Sequence, residues 1–177
     1  MASFGAASSG GDRTAEFSGN FVPEVEQLKF STTCSFSSNS MAQISRSVAT
    51  LRIAGDDLDP EEITALLGHA PTRAYRKGDL VAAGSGTRIA PFGHWQLCAK
   101  DAEPENLDSQ VAELLSGLTQ DVQVWRLIAR RYSVDLFCGL FMQESNEGVG
   151  ISPGTLLSLA QLGIKLDLDI YAADADC

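Results

Sequence analysis

The side chains in this sequence that could do acid–base or metal chemistry fall on runs that are predicted to be β-strands. One histidine and three aspartates are involved, namely His94, Asp135, Asp167 and Asp169. If neighbouring strands bring them to one sheet face, they could bind a divalent cation or act as a general acid and base. The aspartates could instead form salt bridges with Arg52, which lies on another predicted strand. We expect the salt bridges, because an arginine stabilises the charged form of a neighbouring carboxylate.

Motifs of other catalytic or cofactor-dependent sites are absent from the sequence. There is no G-x-S-x-G nucleophile motif, and the four cysteines form no C-x-x-C pair. The Gly-Ser-Gly stretch at 84–86 lacks the strand–loop–helix setting of a phosphate-binding loop. We therefore expect no metal and no cofactor, and we favour a role other than catalysis.

Composition limits the classes of partner. The net charge of −10 argues against general binding to nucleic acid or to an anionic membrane surface. No apolar run reaches the ~18 residues that a membrane-spanning helix needs. The N-terminus also lacks the pattern of a secretory signal peptide. We expect a cytoplasmic protein without nucleic-acid or membrane partners.

One interval differs in charge from the rest of the chain. Residues 69–100 contain five basic residues and one acidic residue. Arg73, Arg76 and Lys77 in this interval could bind an anionic ligand or an acidic partner surface. Alternatively, these charges offset the acidic start of the preceding helix and remain solvated.

Two helices that must position the strands have complete start and stop signals. In the first, Asp59 is the predicted N-cap and Pro60 the first helical residue. Glu62 completes a capping box, and Gly68 ends the helix. The segment 151–163 repeats this order with a serine cap, a proline and a terminal glycine. Each helix follows a strand-like run, so we predict two related β-α-β halves.

The order of the predicted elements indicates an α+β fold. The main strands are predicted at 45–54, 93–100, 132–142 and 164–172. A helical segment with a second cap at Thr119 is inserted between the halves. We predict a ferredoxin-like sandwich with an antiparallel sheet and helices on one face. Short strands at 72–78 and 88–92 would extend one edge, and a mobile loop is predicted at 81–87.

The domain organisation follows from changes in composition. Residues 1–44 are predicted to be a disordered or weakly ordered extension, because they have too few apolar residues to offset chain entropy. A single α+β domain is predicted at 45–172, followed by a frayed tail at 173–177. The composition changes sharply at Met41, and one hypothesis is that Met41 is the true start.

The sheet face opposite the helices is predicted to carry aromatic and charged side chains. They are Arg52, His94, Gln96, Asp135, Phe137, Phe141, Asp167, Asp169 and Tyr171. Aromatic residues on an uncovered sheet face indicate that another surface covers them. The inserted helices, a second subunit or a protein partner could do so.

Several short motifs carry a resemblance to a known family. They are Asp57-Leu58-Asp59-Pro60-Glu61-Glu62-Ile63-Thr64 with Leu67-Gly68, then Pro71-Thr72, Lys77-Gly78-Asp79, Gly93-His94-Trp95, Leu162-Gly163 and Leu168-Asp169-Ile170-Tyr171. Over about residues 45–172 the chain resembles the bacterial domain of unknown function 4279. The resemblance implies a small cytosolic bacterial protein and assigns no catalytic residues.

Two hypotheses for function follow. The first is a non-enzymatic binding or protein-interaction module, with a homodimer through the sheet face or an immunity-like role against a toxin as specific forms. Its surface would combine the aromatic sheet face with the basic loop at 73–77. The second is a small-ligand or enzymatic site beside His94, Asp135 and Asp169.

Overall fold

The computed structural model describes residues 42–173. The predicted disorder of residues 1–41, the hypothetical start at Met41 and the tail after residue 173 lie outside this range. The strands within it are β1 (Ala42–Gln43), β2 (Arg46–Gly55), β3 (Arg73–Tyr75), β4 (Leu80–Ala83), β5 (Gly86–Ile89), β6 (Gly93–Cys98), β7 (Ser133–Phe141), β8 (Glu147–Gly148) and β9 (Lys165–Tyr171). The helices are α1 (Pro60–Leu67), α2 (Leu107–Ser116), α3 (Val122–Arg131) and α4 (Pro153–Leu162).

The fold is α+β, as predicted, and is built on a five-stranded sheet with the order β3-β6-β2-β7-β9. The sheet is mixed, so the prediction of an antiparallel sheet was wrong: β7 and β9 are parallel, whereas the other neighbouring strands are antiparallel. In the second half, the short strand β8 and then α4 follow β7, and this crossover leaves β9 parallel to β7. In the first half, β3, β4 and β5 follow α1, and β6 returns antiparallel to β2. The predicted pseudo-symmetry of the two halves is therefore not confirmed.

Alternating side chains of the strands form the core on one face of the sheet. In β2, Leu51 and Ile53 are fully buried, and they lie opposite Leu97 and Trp95 of β6. Burying a large aliphatic side chain of this kind stabilises a protein by about 1.5–3 kcal/mol. Helices α1, α2, α3 and α4 all pack against strands of this sheet. Because strand side chains have a period of two, the intervening residues project from the opposite face.

The ends of α1 and α4 follow the local signals in the sequence. The Asp59 carboxylate accepts a hydrogen bond of 3.0 Å from the backbone N–H of Glu61, and Gly68 ends α1 in the left-handed conformation at φ 77°. Ser152 and Gly163 cap α4 in the same way. The predicted capping-box contact is replaced, because the Glu62 carboxylate pairs with Arg131.

Helix α3 starts later than predicted. Its N-cap is Asp121, which accepts a hydrogen bond of 2.8 Å from the backbone N–H of Gln123. Thr119 instead accepts a hydrogen bond from the backbone N–H of Asp121. The predicted cap therefore belongs to the turn that precedes the helix.

A buried polar network joins α2 to the central strand. The Ser47 hydroxyl donates to the Gln110 side-chain oxygen over 2.7 Å. The Gln110 amide nitrogen donates to the backbone oxygens of Ser47 and Lys100. Since both side chains are buried and hydrogen-bonded, the network avoids the cost of an unpaired polar group and holds α2 in one position on the sheet.

Two smaller sheets complete the described fold. Strand β1 pairs in parallel with β8, and the adjacent Ile44 is 2% exposed in the core, so the fold extends upstream of the predicted boundary at residue 45. Strands β4 and β5 form a hairpin where a loop was predicted at 81–87. The strand predicted at 88–92 was expected to extend the edge of the main sheet, but β5 pairs with β4 instead. Strand β3 does extend the main sheet, as expected.

Candidate functional site

The sheet face that the core does not use is the candidate site, and we call it the open face. It carries the alternate residues of β2, β3, β6, β7 and β9, as the strand registers require. Seven of the predicted site residues lie on this face, namely Arg52, Arg73, His94, Phe137, Phe141, Asp169 and Tyr171. The strand pairing places them on one surface and also sets the distances between them.

Arg52 is the centre of one cluster on the open face. Its Nε lies 2.7 Å from the Oδ1 of Asp135, which is directly opposite on β7. Its Nη2 lies 3.9 Å from an oxygen of Asp167, and its guanidinium covers the Phe137 ring at 4.4 Å. The expected salt bridges of Arg52 are therefore present. The Asp135 carboxylate is already paired, which disfavours its use as a base or a metal ligand.

A second cluster lies at the other end of the open face. The Arg46 guanidinium is 3.8 Å from the centre of the Phe141 ring, and that ring stacks on Tyr171 at 4.7 Å with an interplanar angle of 7°. The Tyr171 hydroxyl donates a hydrogen bond of 2.7 Å to Asp169. Both rings lie beside Gly139, where a Cβ would be in ordinary van der Waals contact with them.

Arg46 was not among the predicted site residues. Its partner Asp101 is 55 positions away in sequence, and their side chains meet at 2.9 Å. The sequence could have indicated Arg46 through its position on β2. It is separated from Arg52 by an even number of residues, so both side chains project from the same face.

His94 lies at a third position, on β6. Its ring stacks on Tyr75 at 5.2 Å, and its Nε2 lies 3.2 Å from the Gln96 side-chain oxygen. Its Nδ1 is buried without a hydrogen-bond partner. Burial lowers the pKa of His94, while the hydrogen bond to Gln96 opposes this shift and the charges of Arg52 and Arg73 add to it. The lowered pKa favours the neutral form of the imidazole.

The registers separate His94 from the carboxylates of the second hypothesis. His94 lies level with Ser133 of β7, whereas Asp169 lies level with Gly139. From the spacing of strands and of residues along a strand, His94 and Asp169 are about 24 Å apart, and His94 and Asp135 about 12 Å apart. Within residues 42–173 there is no group of three or more side chains positioned to hold a metal ion. The structure does not bring these residues together as one acid–base site.

The basic loop at 73–77 is largely paired with the start of α1. Arg76 pairs with Asp59 at 2.8 Å and also with Glu61, and Lys77 pairs with Asp56 at 3.0 Å. Hydrogen bonding to Glu61, followed by hydrogen bonding to Arg76, lowers the pKa of Asp59 to about 2. These contacts match the alternative in which the basic charges offset the acidic helix start.

Arg73 belongs to the open face rather than to this network. Its Nη2 donates a hydrogen bond of 3.1 Å to the backbone oxygen of Ala82, and its guanidinium lies 5.6 Å from the centre of the Tyr75 ring. The open face therefore carries three guanidinium–aromatic pairs, made by Arg46, Arg52 and Arg73.

Comparison with known proteins identifies a family but no activity. The model of the family described as "Domain of unknown function (DUF4279)" matches residues 43–173. Neither the curated proteins nor the solved structures include a match. In residues 42–173 no helix has the length and apolar character to cross a bilayer.

Proposed function

The chain belongs to the DUF4279 family, and we propose that it is a non-enzymatic interaction module that binds a protein partner on its open face. The observation that carries the proposal is the set of three guanidinium–aromatic pairs on a sheet face opposite the helices. Arginine and aromatic residues are enriched in protein interfaces and at their energetic hot spots. Stacking also restricts the arginine side chains before binding, which reduces the entropy lost on association.

The charge of the open face favours a protein partner over an anionic ligand. Arg46 pairs with Asp101, and Arg52 pairs with Asp135 and Asp167. Paired guanidinium groups have fewer N–H donors available to a phosphate, and the neighbouring carboxylates repel it. A surface of mixed charge and aromatic planes matches the composition of a protein interface.

An enzymatic or small-ligand site has less support. Its three residues are separated, Asp135 is engaged by Arg52, and Asp169 accepts a hydrogen bond from Tyr171. Among the residues of the second hypothesis, His94 alone has a buried side-chain nitrogen without a hydrogen-bond partner. We therefore place the function in recognition rather than in catalysis.

The test is partner capture with matched surface variants. The full chain would be expressed with an affinity tag in its own host, and co-purifying proteins would be compared with those of Arg46→Glu, which reverses a charge on the open face. Arg126→Glu on α3 is the matched control, because it makes the same change on an exposed residue of the helical layer. We expect one partner to be lost with the first variant and retained with the second.

Binding of the purified partner then gives a quantitative result. We expect Arg46→Glu to raise the Kd at least tenfold, which corresponds to about 1.4 kcal/mol. Phe141→Ala removes the ring beneath Arg46 and should weaken binding in the same direction. If neither variant changes the Kd while Arg126→Glu does, the partner binds the helical layer and the proposal is wrong.

A further inference from the structure

Strand β9 forms an edge of the main sheet. In the part of the chain that the structure describes, its backbone pairs with β7 alone, and its other side presents N–H and C=O groups without a strand partner. Such an edge is a template for pairing with another chain unless it is very short, charged or covered. With seven residues, β9 is long enough to accept a strand. Its charged side chains, Lys165, Asp167 and Asp169, include both signs, so a strand of complementary charge can pair with it.

Apolar side chains are concentrated beside this edge. Nine large hydrophobic residues in the described range are exposed, and five of them lie on β9 or on α4, which packs against it. On the helical side of the sheet, Leu168 and Ile170 of β9 are 42% and 58% exposed, and Leu156 and Leu157 of α4 are 47% and 57% exposed. Single exposed leucines are ordinary, but a group of this kind indicates a surface that another molecule covers.

We propose that β9 pairs antiparallel with β9 of a second copy of this chain, forming a two-fold symmetric dimer with a continuous ten-stranded sheet. A single added peptide strand would satisfy the edge of β9 but would leave the leucines of α4 exposed. A second copy brings its own α4 alongside, so both parts of the apolar group become buried. Two-fold symmetry also requires a self-complementary surface, and β9 supplies one.

The charges of β9 and the length of strand overlap together select the register of the pairing. With Asp167 on the two-fold axis, Lys165 of each copy lies opposite Asp169 of the other, and Leu166 lies opposite Leu168. The two Asp167 carboxylates then face each other, so this register has one like-charge pair and two pairs of opposite charge. With Leu168 on the axis, Asp167 would lie opposite Asp169 twice. With Leu166 on the axis, Lys165 would lie opposite Asp167 twice, but only residues 165–167 of the two strands would pair. Opposite charges directly across a strand pair are favourable and like charges are unfavourable. Within each chain, Asp167 lies near the positive charges of Arg52 and Lys165, which reduce the repulsion between the two facing Asp167 carboxylates.

The first measurement is the oligomeric state of the full chain, by sedimentation velocity from about 1 to 100 µM, the range in which transient to stable dimers assemble. We expect a dimer, and we expect the double variant Leu157→Lys, Ile170→Lys to be a monomer. The matched control is Leu80→Lys, Ile89→Lys, which makes the same changes at exposed apolar positions on the β4–β5 hairpin and should remain dimeric. Circular dichroism checks that each variant is folded.

A charge exchange tests the register. Asp169→Lys should weaken the dimer at least tenfold, because it places two lysines opposite each other. Adding Lys165→Asp restores opposite charges across the interface and should recover the dimer. A full chain that is monomeric at every concentration overturns the proposal, and so does a dimer that Leu157→Lys, Ile170→Lys leaves intact.

This inference is independent of the proposed partner binding. If the full chain is monomeric but loses its partner with Arg46→Glu, the dimer proposal is wrong and the proposed partner binding is supported. If the full chain is dimeric but binds no partner on the open face, the dimer proposal is supported and the proposed partner binding is wrong. Failure of one proposal is therefore distinguishable from failure of the other.

Discussion

Arginine–carboxylate pairs occur in two regions of this protein, and they differ in their surroundings. At the start of α1, the side chains of Arg76 and Asp59 are 50% and 47% exposed. On the open face, the side chains of Arg52 and Asp135 are 32% and 15% exposed, and the guanidinium also covers an aromatic ring. Water screens the first pair and competes for its hydrogen bonds, whereas the second pair is shielded. Similar residue types therefore serve charge compensation in one region and a preorganised surface in the other.

The largest expected effect comes from removing the centre of the open face. Arg52→Ala leaves the mostly buried Asp135 carboxylate without its partner and uncovers Phe137, so we expect a loss of about 2 kcal/mol in the free energy of unfolding. Urea denaturation measures this loss. Arg52→Lys keeps the charge but not the planar stack, and it should fall between the wild type and Arg52→Ala. If Arg52→Ala is as stable as the wild type, the contrast between the two regions is contradicted.

A pH series tests the burial of His94 beside this face. Its pKa in the folded protein is lowered, so the unfolded chain binds more protons over the interval from the folded pKa up to the ordinary value of 6.5. We expect the free energy of unfolding to rise with pH through this interval and to level off above it. His94→Gln should remove this part of the slope in urea denaturation. An unchanged slope would show that His94 is not the group responsible.

The exposed network should respond less. Arg76→Ala is expected to lower the free energy of unfolding by less than Arg52→Ala does, and the difference from the wild type should shrink in 0.5 M salt. The corresponding loss for Arg52→Ala should persist in salt because that pair is shielded. Equal salt sensitivity of the two variants would remove the distinction.

The smallest effect is a change in the titration of one carboxyl group. Asp59 has a pKa of about 2, so its contribution to stability is complete above the ordinary value of 3.8 and is lost as the pH falls towards 2. In a carboxyl-detected NMR titration, Arg76→Ala should raise the pKa of Asp59 only in part. Hydrogen bonding to Glu61 is the larger cause of the shift and remains. A full return to the ordinary value would assign the shift to Arg76 alone.

Much of the local structure was predictable because its causes are local. The caps and terminal glycines of α1 and α4 each depend on a few consecutive residues, and both helices end where these residues predict. The alternation of β2, β7 and β9 likewise placed Arg52, Phe137 and Tyr171 on one face. The hairpin of β4 and β5 was missed, because glycine, alanine and serine give little strand signal.

The amino-acid sequence by itself determined the helix ends, the two faces of the main strands and the family of the chain. Only the tertiary structure decided the direction of β9, the distance between His94 and Asp169, and the pairing of Arg46 with Asp101. Periodicity states which side of a strand a residue occupies, since that depends on its neighbours in the chain. It does not state which strands lie side by side or in which register, because those depend on contacts between residues far apart in sequence.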